Sequence, residues 1–148
     1  IRESGEAFSS RELEGSAWVA NFIFTRCPNQ CPMMTARLAA LQRSLPSKLK
    51  IVSITVDPAH DTADALKAYA EKFKTDPGRW FFLTGDPGVL RQIREDFKLG
   101  QNEDPALHSL RFVLVDDKNQ IRGYYDSEGT ASIKKLLRDA RRITGDHD

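Results

Sequence analysis

Residues 17–25 read AWVANFIFT, an almost unbroken apolar and aromatic run that leads into Arg26-Cys27-Pro28-Asn29-Gln30-Cys31-Pro32. A run of that length without polar alternation predicts a central strand buried on both faces. Two cysteines and two prolines where such a strand gives way to a helix restrict what the chain can fold into and what it can do.

The elements that follow are consistent with this start. Cys31 to Leu45 carries Met34, Leu38, Leu41 and Leu45 at helical spacing, and Pro46 stops the pattern. Lys50 to Val56 (KIVSITV) is a second buried strand, rich in β-branched residues. A helix is expected from Thr62 to Phe73, with Leu66, Tyr69, Ala70 and Phe73 on one face and Asp61 or Thr62 as its cap. Asp76-Pro77-Gly78 is a turn, and Trp80 to Leu83 is a third strand.

Asp86-Pro87 opens another helix, continued by Val89, Leu90, Ile93 and Phe97. Gly100 to Leu107 is polar and loop-like. Ser109 to Val115 and Gln120 to Tyr125 form a hairpin around Asp117-Lys118-Asn119. A last helix runs from Thr130 to Ile143 with Ile133, Leu136, Leu137 and Ala140 inward. Near the start, Ser4-Gly5 offers a turn and Glu6 to Phe8 a short edge strand of an N-terminal hairpin. The fold class is therefore α/β. Parallel strands joined by helical crossovers, plus a terminal hairpin, give a mixed sheet with helices on both faces in the thioredoxin-like arrangement, as one domain over residues 1–148.

Composition excludes several functions. The net charge is +1 and the charges are interleaved, so nothing marks a nucleic-acid surface. No run of eighteen apolar residues spans a membrane and no signal peptide is present. The chain begins at Ile1 rather than Met, which is read as a trimmed or processed protein whose anchor, if it had one, has been removed. Two cysteines are too few for a disulfide-stapled scaffold, and paired thiols in a core-bearing domain point to metal or redox chemistry.

Cys27 and Cys31 are four apart at a strand-to-helix junction. If the first turn is helical they stack on one face, where their sulfurs can converge on one ion or on each other. A helix N-terminus favours thiolate over thiol. A preorganised thiolate pair suits a soft ion such as Cu(I). The spacing differs from a thioredoxin-type Cys-x-x-Cys, so redox use of the pair stays open. His108, just before an apolar strand, is a candidate third ligand, although a lone histidine there is more often an ordinary side chain. His60 in a polar loop and His147 in the tail read as surface residues.

Three motifs, taken together, resemble the Sco (SenC) family. They are Asn21-Phe22-Ile23-Phe24-Thr25 leading to Cys27-Pro28-Asn29-Gln30-Cys31-Pro32 with Met34, then Val56-Asp57-Pro58-Ala59-His60-Asp61-Thr62, then His108-Ser109 with Phe112-Val113-Leu114-Val115-Asp116. The resemblance covers essentially the whole chain. It implies one copper per domain, Cu(I) or Cu(II), held by Cys27, Cys31 and His108, with Asp57 close by as an outer residue. It implies a metallochaperone for the dinuclear copper centre of cytochrome c oxidase, with that oxidase subunit or another copper or thiol protein as partner. A periplasmic or other extracytoplasmic, bacterial, membrane-anchored and monomeric protein follows from the same resemblance. Two other functions use the same residues. One is a thiol–disulfide oxidoreductase in which Cys27 attacks and Cys31 resolves. The other is a redox or copper sensor.

Overall fold

The computed structural model describes residues 15–23, 30–45, 49–55, 57–75, 79–96, 111–118, 120–126 and 130–144. In chain order these form β1 (Trp18–Ile23), α1 (Gln30–Leu41), β2 (Lys50–Thr55), α2 (Ala63–Lys72), β3 (Trp80–Leu83), α3 (Pro87–Asp96), β4 (Arg111–Val115), β5 (Ile121–Asp126) and α4 (Thr130–Thr144). The expected N-terminal hairpin, and Phe24 with it, lie outside the described residues.

The strands make one mixed sheet in the order β3-β2-β1-β4-β5. β1 runs parallel to β2 and β2 to β3, while β4 is antiparallel to both β1 and β5. This is the thioredoxin-like sheet. The successive crossovers β1-α1-β2-α2-β3 step in one direction across the sheet. Right-handed connections therefore put α1 and α2 on the same face. The chain returns from β3 to β4 past β2 and β1, and α3 lies on the opposite face.

Burial follows the two-residue period of the strands. Val19, Ile23, Ile51, Trp80, Phe82, Phe112 and Leu114 face one core, covered by Met34 and Leu38 of α1, Leu66 and Tyr69 of α2, and Leu136 and Ala140 of α4. Trp18, Ala20, Phe22, Val52, Ile54, Phe81, Val113 and Val115 face the other, with Leu90 of α3. β1 is buried at every position, as a two-sided strand requires.

α1 ends at Leu41, four residues earlier than the periodicity predicts. Ser44 and Leu45 both donate their N–H to the Leu41 carbonyl, and Leu45 still reaches the core from the turn. Arg79 holds this corner. Its guanidinium donates to the carbonyls of Gln42 (2.6 Å), Leu45 (3.1 Å) and Leu49 (2.8 Å). A planar fork with five donors can satisfy several end-of-helix carbonyls at once. α2 is capped by Thr62, whose hydroxyl accepts from Ala65 N, rather than by Asp61. The β4–β5 turn is closed by Asp116, whose carboxylate accepts from the N–H of Lys118 and Gln120 (2.9 Å each) and from Arg122 (3.3 Å). Asp116 thus serves the turn.

One polar chain crosses the core. Trp80 Nε1 donates to Ser53 Oγ, and Ser53 donates to Asn21 Oδ1 across the β1–β2 register. Asn21 is fully buried, and its Nδ2 has no hydrogen-bond partner. A bonded amide oxygen explains how an asparagine is tolerated in an otherwise apolar strand, and the orphaned amide nitrogen offsets part of that gain.

Candidate metal centre

β1 and β2 end side by side. Ile23 lies opposite Thr55 as the last pair of their parallel ladder, so whatever follows either strand starts from one edge of the sheet. After β1 comes the segment that carries Cys27. After β2 comes the segment that carries Asp57. The carboxyl edge of a parallel sheet is where open α/β folds gather their functional groups.

Cys31 is the second residue of α1, and no acidic residue occupies that helix's first turn. Backbone N–H groups at this end lack intrahelical acceptors, and the helix dipole is positive there. Both favour a thiolate at this position, and no carboxylate in the turn opposes it. Cys27 and His108 lie outside the described residues, as does His147. Among the described residues, no three or more His, Cys, Asp or Glu side chains converge as a metal would require. The described structure therefore sets the ends of β1 and β2 side by side, at Ile23 and Thr55, and leaves the ligand set itself to the sequence.

The loop after β2 is tightly made. Thr55 Oγ1 donates to the fully buried Asp61 carboxylate at 2.7 Å and accepts from Asp57 N at 3.0 Å. The Asp57 carbonyl in turn accepts from the N–H groups of His60 (3.1 Å) and Asp61 (2.9 Å). One threonine hydroxyl thus fixes both ends of the turn, and the side chain of Asp57 is held near the sheet edge. His60 is exposed, as expected, but it is not a bystander, because its Nδ1 lies 3.3 Å from Asp57 Oδ1.

Sequence reasoning singled out Asp57, read Asp61 as a possible helix cap, and missed Thr55. The signal was present in the Asp-Pro-x-x-Asp-Thr spacing. A threonine ending a buried strand, six residues before an aspartate that precedes a helix cap, has the geometry to close such a turn.

The SCO1/SenC family model matches residues 1–145. The chain belongs to the SCO1/SenC family. A SCO1/SenC family lipoprotein from Bacillus anthracis shares 30% sequence identity and superposes with a TM-score of 0.84, covering 97% of this chain and 90% of that one. BsSco, described as a member of the Sco family of cytochrome c oxidase assembly proteins with a disulfide switch, is 28% identical, with a TM-score of 0.82 and coverage of 97% and 89%. Copper-bound yeast Sco1 is 27% identical, with a TM-score of 0.72 and coverage of 91% and 82%. The family's members share the thioredoxin-like sheet, and the expectations on family and fold class hold. No helix among the described residues is long and apolar enough to cross a membrane.

Proposed function

We propose that this protein is a copper metallochaperone for the dinuclear copper centre of cytochrome c oxidase, binding one copper through Cys27, Cys31 and His108 with Asp57 alongside. The observation that carries the reading is the family match across residues 1–145, with a cysteine of the pair in the first turn of α1 at the sheet's carboxyl edge. Copper-bound yeast Sco1 and the assembly role described for BsSco's family support the choice of metal and of partner.

The residues fit copper on their own chemistry. Two thiolates at a helix start suit Cu(I), and an imidazole broadens the site toward Cu(II). Copper is the cargo, so what the chain must do is bind it and let it go. A cysteine in a helix's first turn is favoured as thiolate, prolines at 28 and 32 restrict the chain, and a three-donor set leaves the ion open to a partner's ligands. The lipoprotein relative supports an extracytoplasmic, membrane-anchored setting. The partner is the oxidase subunit that carries the dinuclear centre.

The test separates the histidine from the sulfurs. His108→Ala should lose Cu(II) affinity by a larger factor than Cu(I) affinity, measured by competition titration with chelators of each ion. Unchanged Cu(II) affinity removes His108 from the site.

A second reading is favoured by the disulfide switch described for BsSco. In it, Cys27 attacks a partner disulfide and Cys31 resolves the mixed disulfide, so that the pair ends oxidised and the partner reduced. An oxidised pair cannot offer thiolates to copper, which makes the two activities mutually exclusive in any one molecule. The pair's reduction potential, set against that of a dithiol partner, decides whether this second activity is available.

A further inference from the structure

α4 carries the cations Lys134, Lys135, Arg138, Arg141 and Arg142 and one acidic residue, Asp139. Charges of both signs are interleaved along the chain, but this helix sorts them. At about 100° per residue its cations fall within about 120° of the circumference. That arc faces away from Leu136 and Ala140, which enter the core. Lys134, Lys135, Arg138 and Arg142 are exposed and Arg141 is partly so. No described residue forms a hydrogen bond or ion pair with Lys134, Lys135 or Arg138. Asp139 lies at the flank, its two oxygens taken by Tyr125 and Arg142. α1, on the same face of the sheet, adds to the field. With the turn after it, α1 holds Arg37 and the exposed Arg43 and no acidic residue. Arg141 joins the two helices by donating to the Ser44 carbonyl at 3.4 Å.

Helix stability does not account for this stripe. Lys134, Arg138 and Arg142 follow one another at i, i+4 and i+8, where like charges destabilise a helix. The helix dipole favours Arg141 and Arg142 in the last turn, but it gives nothing to Lys134 and Lys135 in the N-terminal half.

The stripe's make-up indicates what covers it. Specific protein interfaces are built on aromatic and apolar anchors and are poor in lysine. The large exposed apolar residues among those described, Val89, Ile121 and Tyr124, belong to α3 and β5. A row of flexible cations about 12 Å long, with no such anchor, suits a flat and diffusely charged surface. We propose that α4 rests on the anionic headgroups of a lipid bilayer. The inference rests on the membrane-anchored setting proposed above and adds an orientation to it, since a lipid tether and a basic patch together hold a domain where either alone is weak. β5 runs parallel to β1, because both are antiparallel to β4. α4 therefore starts at the sheet's carboxyl edge and runs back along the sheet. With α4 flat on the bilayer, that edge points along the membrane plane, toward a partner embedded beside it.

Two experiments decide it, both on the reduced, metal-free chain. In co-sedimentation with vesicles of equal parts phosphatidylglycerol and phosphatidylcholine at low salt, the wild type should bind. It should release as salt rises and ignore vesicles of phosphatidylcholine alone. Lys134→Gln, Lys135→Gln and Arg138→Gln together should weaken binding about a hundredfold, about fivefold for each cation. Lys67→Gln, Lys72→Gln and Lys74→Gln, which remove the same charge from exposed positions in and just after α2, should weaken it far less. Equal losses in the two triple variants overturn the proposal, because net charge alone would then explain binding. A wild type that ignores anionic vesicles also overturns it. If that wild type is instead retained by immobilised polyglutamate, and the α4 variant is not, the face belongs to an acidic protein. The second experiment reads orientation in a Cys27→Ser, Cys31→Ser background. A fluorophore on Ala131→Cys, exposed within the cationic arc, should be quenched by a headgroup quencher, and one on Val89→Cys of α3 should not. Equal quenching at the two positions overturns the proposal. Neither experiment uses copper or a tether, so a failure here leaves the metal and anchoring readings where they stand.

Discussion

Thr55 gives its hydroxyl hydrogen to the buried carboxylate of Asp61 at 2.7 Å while its oxygen accepts the N–H of Asp57. This bond joins the end of a central strand to the turn that carries Asp57. It ties the stability of the fold to the shape of the candidate site.

Thr55→Val keeps the shape of the side chain and removes both bonds. Leaving the buried Asp61 oxygen short of a donor should cost about 1–3 kcal/mol in urea denaturation. Thr55→Ser, which restores the hydroxyl, should recover most of that loss. A valine variant as stable as the wild type would show that the clasp is not a stabilising element.

Gly123 has no room for a side chain. A Cβ built there would sit 2.6 Å from the Tyr125 hydroxyl oxygen and 2.9 Å from its Cζ. That ring is buried and cannot swing aside, because Tyr125 Oη donates to Asp139 Oδ2 at 2.7 Å. Gly123→Ala should therefore destabilise by about 1–3 kcal/mol through overpacking. Tyr125→Phe should cost less, and adding it to Gly123→Ala should be less than additive because both changes act on one hydroxyl. The phenol's acidity is also displaced. Burial, then the Asp139 bond, push its pKa well above the usual 10.0. A raised folded pKa means its contribution is whole below the unfolded pKa and is lost only as pH rises through the folded value. Alkaline titration should thus find Tyr125 ionising well above the ordinary tyrosine range, if at all before unfolding.

Asp116 makes the opposite statement at low pH. The Gln120 N–H, and after it the Lys118 N–H and Arg122, hold its carboxyl below the ordinary 3.8, against the cost of burial. A depressed folded pKa gives stability that is present above the unfolded value and lost as pH falls through the folded one. Melting temperature should fall between about pH 5 and about pH 3 more steeply in wild type than in Asp116→Asn. Parallel slopes would show that the turn does not depend on this charge.

Most of the fold was legible because its signals are periodic. The apolar runs at 17–25 and 50–56 contain the two buried strands, Trp18–Ile23 and Lys50–Thr55, and Leu136 and Ala140 lie inward in α4 as their spacing requires. The early end of α1 was not legible, because Leu45 is buried whether or not it is helical, and periodicity cannot tell the two apart. Arg79 and the Trp80–Ser53–Asn21 chain were also hidden. Each joins residues distant in sequence or assigned to different elements, and single-strand patterns carry no register. Within the candidate site the reverse holds. Cys27 and His108 rest on motif and family, while Asp57 gained partners that no motif specifies.

Copper content with absorption spectra, for reduced wild type beside Cys27→Ser and His108→Ala, addresses the central claim most directly. The expected result is one copper per chain in wild type with a thiolate charge-transfer band, no band at all in Cys27→Ser, and a weakened, shifted Cu(II) band in His108→Ala. A reduced wild type that takes up no copper, or a Cys27→Ser protein with the wild-type spectrum, would contradict it.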